Sequence, residues 1–197
     1  GKWMFGNKQY KVIKNAIDTT KFFYDLEARK KKRKELNLDD KLIIGTVGRL
    51  SDQKNPFYIC EIVKALCKLK DNICFVHIGD GELKGAIEEK IEEYSLTDKY
   101  LLLGLKDDVS AYMNAMDYFI LPSKFEGFPI VLVEAQATGL HCAVSDRITN
   151  SCDLTGNIDF LPIDFAPQKW AEYILNNIEY KRKDCTQEIV EKGYDIN

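Results

Sequence analysis

The 197-residue chain has the composition of an ordinary folded protein: apolar residues make up 45% and charged residues 30%, which excludes disordered and collagen-like chains. Its 28 basic and 31 acidic side chains give a formal net charge of −3, so we expect no nucleic-acid partner. No apolar run approaches the roughly 20 residues of a membrane span, and the first residues lack a signal-peptide core. The sequence therefore predicts a cytoplasmic protein.

The six cysteines form no C-x-x-C pair, and the two histidines do not stand at zinc-finger spacing. Several cysteines lie inside apolar runs. We therefore predict reduced, buried thiols, with disulfides as the alternative, and no metal site.

Short apolar runs alternate with helical patterns along most of the chain. Strands are predicted at 41–47, 73–78, 100–103, 118–121, 140–144 and 158–161. Helices are predicted at 55–69, 83–94, 107–116, 130–138 and 167–176. Asn55 is predicted to cap the first of these helices, and Gly139 to end the fourth. The alternation predicts an α/β fold, a Rossmann-like parallel sheet with helices on both faces.

The first forty residues have a different character. Residues 11–13 are a candidate strand, and residues 25–36 form a charged helix that contains the basic run 29–34. Its main apolar anchors would be Leu26 and Leu36. We favour a solvated helix face, and peripheral contact with the anionic inner face of a membrane is the alternative.

The loop after the first strand has the chemistry of a diphosphate site. Gly48 allows close approach of the backbone, and Arg49 and Lys54 supply positive charge just before a helix N-terminus. Surface charges beside a helix cap remain an equal alternative. The chain lacks the G-x-G-x-x-G spacing and the P-loop lysine motif, which disfavours NAD, FAD and ATP.

A second loop carries two acids. Glu126 follows the strand at 118–121, and Glu134 comes eight residues later, about two turns into the next helix. Carboxylates accept hydrogen bonds from sugar hydroxyls, and the backbone amides between them begin a helix, where they can hold phosphate. The pattern predicts a site for a sugar and a phosphate.

Together these motifs resemble the retaining glycosyltransferases of the GT-B fold known as family 4, or group 1. The resemblance rests on Gly48-Arg49-Leu50-Ser51, Lys54-Asn55-Pro56, Gly79-Asp80-Gly81-Glu82-Leu83, Leu121-Pro122-Ser123 and the run from Glu126 to Glu134. The Glu-x7-Glu element is the hallmark of this family. The segment 15–18 is similar to the entry segment between the two domains of such enzymes.

The resemblance implies a role for each candidate residue. Arg49 and Lys54 would bind the diphosphate and stabilise the leaving group, and Glu126 would contact the donor sugar; these three are the predicted catalytic residues. Glu134 would hold the ribose hydroxyls. The predicted substrate-binding residues are Gly48, Gly81, Leu105, Lys106, Ser123, Phe128, Pro129, Ile130, Val131 and Glu134.

The family also implies the organisation of the chain. Residues 1–40 would be the interdomain entry segment with its charged helix, and residues 41–197 the nucleotide-sugar-binding domain, the C-terminal half of a GT-B fold. The acceptor-binding N-terminal domain is missing, so we expect a piece of a longer enzyme that transfers little sugar alone. His141, where relatives often carry proline, is predicted to affect packing.

The expected function is transfer of a sugar from a nucleotide-diphosphate sugar, most simply a UDP-sugar, to an acceptor with retention. The resemblance suggests surface polysaccharide or glycoconjugate synthesis, with no cofactor and no divalent metal. The alternatives are a nucleotide-sugar-binding module without catalysis and a GT-B-type sugar epimerase.

Overall fold

A computed structural model describes residues 15–197. Within this range six strands form one sheet in the order β3-β2-β1-β4-β5-β6, and every neighbouring pair is parallel. The strands are β1 (Leu42–Val47), β2 (Ile73–Ile78), β3 (Tyr100–Leu102), β4 (Tyr118–Leu121), β5 (Cys142–Ser145) and β6 (Ile158–Leu161). The predicted parallel sheet is confirmed. The candidate strand at 11–13 lies outside the described residues.

Seven α-helices lie within the described part of the chain. They are α1 (Leu26–Glu35), α2 (Pro56–Leu69), α3 (Lys84–Glu93), α4 (Val109–Ala115), α5 (Ile130–Ala137), α6 (Pro167–Asn176) and α7 (Thr186–Glu191). Gly139 has a φ of 71°, in the left-handed region that ends helices, so its predicted role after α5 is confirmed. The short helix α7 was not predicted from the sequence.

Successive strand residues point to opposite faces of the sheet, and both faces are covered by helices. On one face Ile44, Phe75 and Tyr118 pack in a core that also includes Trp170 of α6 and residues of α2 and α3. The other face packs against α4 and α5. This arrangement explains why most strand residues are apolar instead of alternating with polar ones.

The strand order reverses between β1 and β4. The chain leaving β1 returns through α2 to β2 on one side, whereas the chain leaving β4 returns through α5 to β5 on the other. The loops 48–55 and 122–129 therefore leave the same edge of the sheet in opposite directions. Such a reversal is where ligands bind in open parallel sheets.

The basic run of α1 is not simply a solvated face, which corrects the sequence-based interpretation. Arg29 and Arg33 turn inward, donate hydrogen bonds to carbonyls at the end of α4, and both pair with Asp117. Leu26, predicted as an apolar anchor, is 49% exposed. The side chains of Lys30, Lys31 and Lys34 do face solvent, and their contact with anionic lipid stays a prediction.

All six cysteines are free thiols, and all are buried except Cys67, which is half-buried. The prediction of reduced, mostly buried thiols is confirmed. None of the helices between residues 15 and 197 combines the length and the apolar character needed to cross a bilayer.

We predict that Asp117→Ala destabilises the chain by about 3 kcal/mol or more, because it leaves the buried guanidinium of Arg33 and the amide of Ile43 without their carboxylate partner. Chemical denaturation followed by circular dichroism measures the effect. Asp98→Ala, at an exposed position, is the control and should change the free energy of unfolding by less than about 0.5 kcal/mol. Equal stability of the two variants would contradict the role of Asp117.

Candidate functional site

The loops that follow β1 and β4 are joined by a charged pair. The Nζ atom of Lys54 lies 2.5 Å from Oε1 of Glu126, and the side-chain amide of Gln53 donates to Oε2 of the same carboxylate at 3.3 Å. The Lys54 side chain is 19% exposed and that of Glu126 is 9% exposed. Two of the three predicted catalytic residues therefore meet in one partly buried position at the point where the strand order reverses.

Further hydrogen bonds fix the two loops against each other. The backbone amide of Lys124 donates to the carbonyl of Gln53 at 2.8 Å, and the side-chain amide of Asn55 donates to the carbonyl of Pro122 at 3.3 Å. The predicted capping role of Asn55 is wrong in one respect: its side chain caps no amide of α2, and its backbone adopts a left-handed conformation with φ 57°. Asn55 instead ties one loop to the other.

Arg49, the third predicted catalytic residue, lies on the opposite flank of the same loop. Its side chain is 71% exposed and pairs with Glu82 at 3.2 Å. An exposed pair of this kind contributes little to stability. The guanidinium can therefore exchange Glu82 for a bound anion at small cost.

A cleft of about 410 Å³ opens beside Arg49, between the loops that follow β1, β2 and β3. Its lining residues are Val47, Gly48, Arg49, Ile78, Gly79, Asp80, Leu105, Lys106 and Val109. Four of the predicted site residues are thus brought together here. The side chain of Leu105 is 77% exposed at the rim and can cover a flat apolar ligand.

Gly79 allows the loops beneath this cleft to approach closely. Its φ is 142°, and a Cβ atom at this position would lie 2.0 Å from the carbonyl oxygen of Gly48. Gly81 packs in the same way against the backbone of Leu50, because a Cβ atom there would lie 2.4 Å from the carbonyl oxygen of that residue. Gly81 does not line the cleft. It therefore shapes the loop, and its contact with substrate stays a prediction.

The start of α5 offers backbone donors next to Glu126. Pro129 precedes the helix, and no side chain caps its first turn. Among the described residues, no carbonyl accepts a hydrogen bond from the amides of Ile130 or Val131. Free amides and the helix dipole favour an anion at this position. The side chains of Pro129 and Val131 are buried, so these residues can contribute only through the backbone.

Two polar side chains near this helix lack partners among the described residues. Partial burial raises the pKa of Glu134 to about 7, and no hydrogen bond or ion pair with another described residue offsets that effect. The hydroxyl of Ser123, two residues after β4, is fully buried and has no hydrogen-bond partner among the described residues. Unpaired buried polar groups are rare in folded proteins. Both positions are therefore candidates for contact with a polar ligand.

The arrangement is suited to a ligand that carries both negative charge and hydroxyl groups. The ammonium of Lys54 has three N–H donors and uses one on Glu126, so two remain for phosphate oxygens. Each carboxylate oxygen of Glu126 receives one donor and retains a lone pair that can accept a hydroxyl. Positive charge, free amides and carboxylate acceptors thus lie along one edge of the sheet.

Several residues of this edge were given no individual role from the sequence. Gln53 orients Glu126, and Gly79 and Asp80 form part of the cleft. All three lie in loops that follow predicted strands, and Gly79 and Asp80 also belong to the run 79–83 on which the family resemblance rests. No pattern in the sequence distinguished their individual roles.

His141 lies at the opposite edge of the sheet, before β5. Its Nε2 atom contacts Oδ2 of Asp159 at 2.7 Å, and its ring stacks on Tyr118. The predicted packing role is confirmed. Within residues 15–197, no group of three or more His, Cys, Asp or Glu side chains is placed to hold a metal ion, and metal-independent chemistry stays a prediction.

Known proteins are similar to this chain in sequence and in fold. A Bacillus subtilis protein, EpsF, which carries the name glycosyltransferase, is 32% identical over 99% of this chain and 53% of its own length. An Escherichia coli UDP-Gal:alpha-D-GlcNAc-diphosphoundecaprenol alpha-1,3-galactosyltransferase is 37% identical over 75% of this chain and 39% of its own length. The chain thus spans about half the length, or less, of these relatives.

Among solved structures, that of HepE from Anabaena in complex with UDP matches with a TM-score of 0.78. It is 23% identical and covers 94% of this chain and 53% of its own. At this identity the match supports the fold. The model of the family described as "Glycosyl transferases group 1" matches residues 28–191, most of the chain. The chain therefore belongs to the group 1 glycosyltransferases.

Proposed function

We propose that this chain binds the nucleotide-diphosphate sugar donor of a retaining glycosyltransferase and forms its C-terminal, donor-binding half. The observation that carries the proposal is the Lys54–Glu126 pair, which joins the two loops where the strand order reverses. A cation there can meet a diphosphate while the carboxylate beside it meets the sugar. UDP-sugars are the proposed donors.

Diphosphate binding would use Arg49, Lys54 and the free amides at the start of α5. As the bond between sugar and diphosphate breaks, negative charge grows on the departing phosphate. Preorganised positive charge and amides stabilise that charge without further reorganisation. With these groups on one side of the donor, attack by an acceptor from the same face would retain the configuration of the sugar.

Glu126 and Glu134 would contact the two sugar rings of the donor. Glu126, held by Lys54 and Gln53, would accept hydrogen bonds from donor-sugar hydroxyls. Glu134, whose carboxyl lacks a partner among the described residues, would accept both hydroxyls of the ribose. The cleft beside Leu105 and Lys106 would take the base.

The relatives support the same chemistry. HepE was solved with UDP and also with UDP-glucose, and the Escherichia coli relative is named for transfer from UDP-Gal to a lipid-linked sugar. We therefore propose a role in polysaccharide or glycoconjugate synthesis in the cytoplasm. The exposed Lys30, Lys31 and Lys34 would allow peripheral contact with anionic lipid. The acceptor would bind a second domain, so the chain alone should transfer little sugar.

We predict that the chain binds UDP and that Lys54→Met weakens this binding about 10- to 100-fold. The variant loses a charge-assisted hydrogen bond worth about 1.5–3 kcal/mol. Titration calorimetry with UDP, GDP and their sugars measures the effect.

Lys68→Met is the matched control, because Lys68 is exposed near the end of α2, away from the carboxyl edge of the sheet, and should leave UDP affinity unchanged. Folded wild-type chain that binds no nucleotide would overturn the proposal. Incubation with UDP-N-acetylglucosamine tests the epimerase alternative, which requires a change of sugar configuration without an acceptor.

We predict that affinity for UDP-glucose falls as the pH drops from 8 to 6. Burial raises the pKa of free Glu134 to about 7, and two ribose hydroxyls donating to the carboxylate would lower it again. The ligand therefore favours the ionised form, which is lost below pH 7. The diphosphate of UDP-glucose does not titrate in this range. The Glu134→Gln variant should therefore bind UDP-glucose more weakly than the wild type at pH 8, and its affinity should not change between pH 8 and pH 6. A pH-dependent profile in this variant would argue against Glu134 as the titrating group.

We predict that Glu134→Gln also raises the free energy of unfolding of the unliganded chain at pH 8, by up to about 3 kcal/mol. Each unit by which folding shifts a pKa corresponds to about 1.4 kcal/mol. The pKa of Glu134 rises from 4.5 to about 7 on folding, so ionised Glu134 opposes folding above pH 7 and the penalty disappears below pH 4.5. Urea unfolding at pH 8 and pH 4 measures the difference. Equal gains at both pH values would show that burial of the charge is not the cause.

A further inference from the structure

An aromatic pair connects the loop before α5 to the last residues of the chain. The rings of Phe128 and Tyr194 are parallel within 6°, and their centroids are 5.2 Å apart. Phe128 lies two residues after Glu126 and two residues before α5 begins at Ile130. The stack therefore acts on the segment whose amides are the proposed phosphate donors.

Tyr194 is itself held by a contact between two distant parts of the chain. The amide of Ile17 donates to the carbonyl of Tyr194 at 2.8 Å, and the amide of Ile196 donates to the carbonyl of Ile17 at 3.0 Å. The hydroxyl of Thr19 adds a hydrogen bond to the carboxylate of Asp195 at 2.9 Å. These contacts define a terminal crossing, formed by residues 17–19 and 194–196.

The terminal crossing packs under α5. Buried Ile17 belongs to a small core with Val133 and Ala137 of α5, together with Leu154 and Ile189. Phe128 and Tyr194 pack at the border of this core. The crossing thus supports both the helix and Phe128, which lies two residues before it.

Hydrogen bonds hold the loop between β4 and α5 at Lys124, Phe125 and Glu126, whereas the backbone of Gly127 and Phe128 makes none with the described residues. The side chain of Phe125 is 61% exposed, and a Cβ atom at Gly127 would meet nothing within 4 Å. Glu126 is fixed by Lys54 on one side of Gly127, and the stack fixes Phe128 on the other. Without the stack, Phe128 would keep only its packing against the two neighbouring cores, and the amides that follow it would lose one lateral contact.

We propose that Tyr194 is a positioning residue for the phosphate-binding amides, and that the terminal crossing sets their geometry through the Phe128–Tyr194 stack. Tyr194 itself would touch no ligand. The inference rests on the proposed function, because that function assigns phosphate binding to these amides. The coupling between Tyr194 and the loop can nevertheless be measured without any ligand.

The test compares Tyr194→Leu, which removes the stack, with Tyr194→Phe, which keeps it, in the 197-residue chain. Hydrogen exchange of the unliganded chain should be faster at the amides of 127–131 in Tyr194→Leu and unchanged in Tyr194→Phe. UDP affinity should fall about three- to tenfold in Tyr194→Leu and stay within twofold of the wild type in Tyr194→Phe. Tyr94→Leu, at another half-buried tyrosine that follows α3, should change neither quantity.

Unchanged exchange at 127–131 in a folded Tyr194→Leu chain would overturn the inference, as would UDP affinity equal to that of the wild type. Faster exchange across the whole chain would also contradict it, because Tyr194 would then support the fold in general. If the wild type binds no UDP, the proposed function fails, while the exchange result still decides whether Tyr194 controls this loop.

Discussion

The reversal of strand order between β1 and β4 is the constraint on which the whole site depends. It sends two loops away from one edge of the sheet and leaves space between them, and the Lys54–Glu126 pair joins them across that space. Gln53 and Asn55 add hydrogen bonds across the same junction. The site therefore depends first on the topology of the sheet, because Lys54 lies in one loop and Glu126 in the other.

The fold leaves polar groups unpaired at the same edge. Glu134 has a raised pKa because it is partly buried without an opposing charge, and the buried hydroxyl of Ser123 has no partner among the described residues. Groups of this kind cost stability, and a ligand that supplies their missing hydrogen bonds recovers that cost on binding. The energetic pattern is that of a site prepared for a polar ligand, in contrast to the well-paired network around Asp117, which holds the helix α1 in place.

The sequence predicts the sheet well because most buried parallel strands are nearly continuous apolar runs, and the predicted strands at 73–78 and 118–121 match β2 and β4 residue for residue. The predicted strand at 158–161 also matches β6, although it contains Asp159. It also places Lys54 and Glu126 in facing loops, because loops after parallel strands share an edge. The sequence pattern does not show which side chains turn inward or which distant segments meet, because tertiary contacts determine both. Arg29 and Arg33 turn inward only because Asp117 and the carbonyls of α4 lie opposite, and Phe128 meets Tyr194 only after the two ends of the described chain have come together.

The most direct test of the central claim is a crystal structure of the chain with UDP bound. We predict the diphosphate within about 3.2 Å of Nζ of Lys54 and of the first amides of α5, with the uracil ring in the cleft beside Leu105. A nucleotide bound elsewhere, with Lys54 and Glu126 still paired to each other alone, would contradict the assignment of this edge as the donor site.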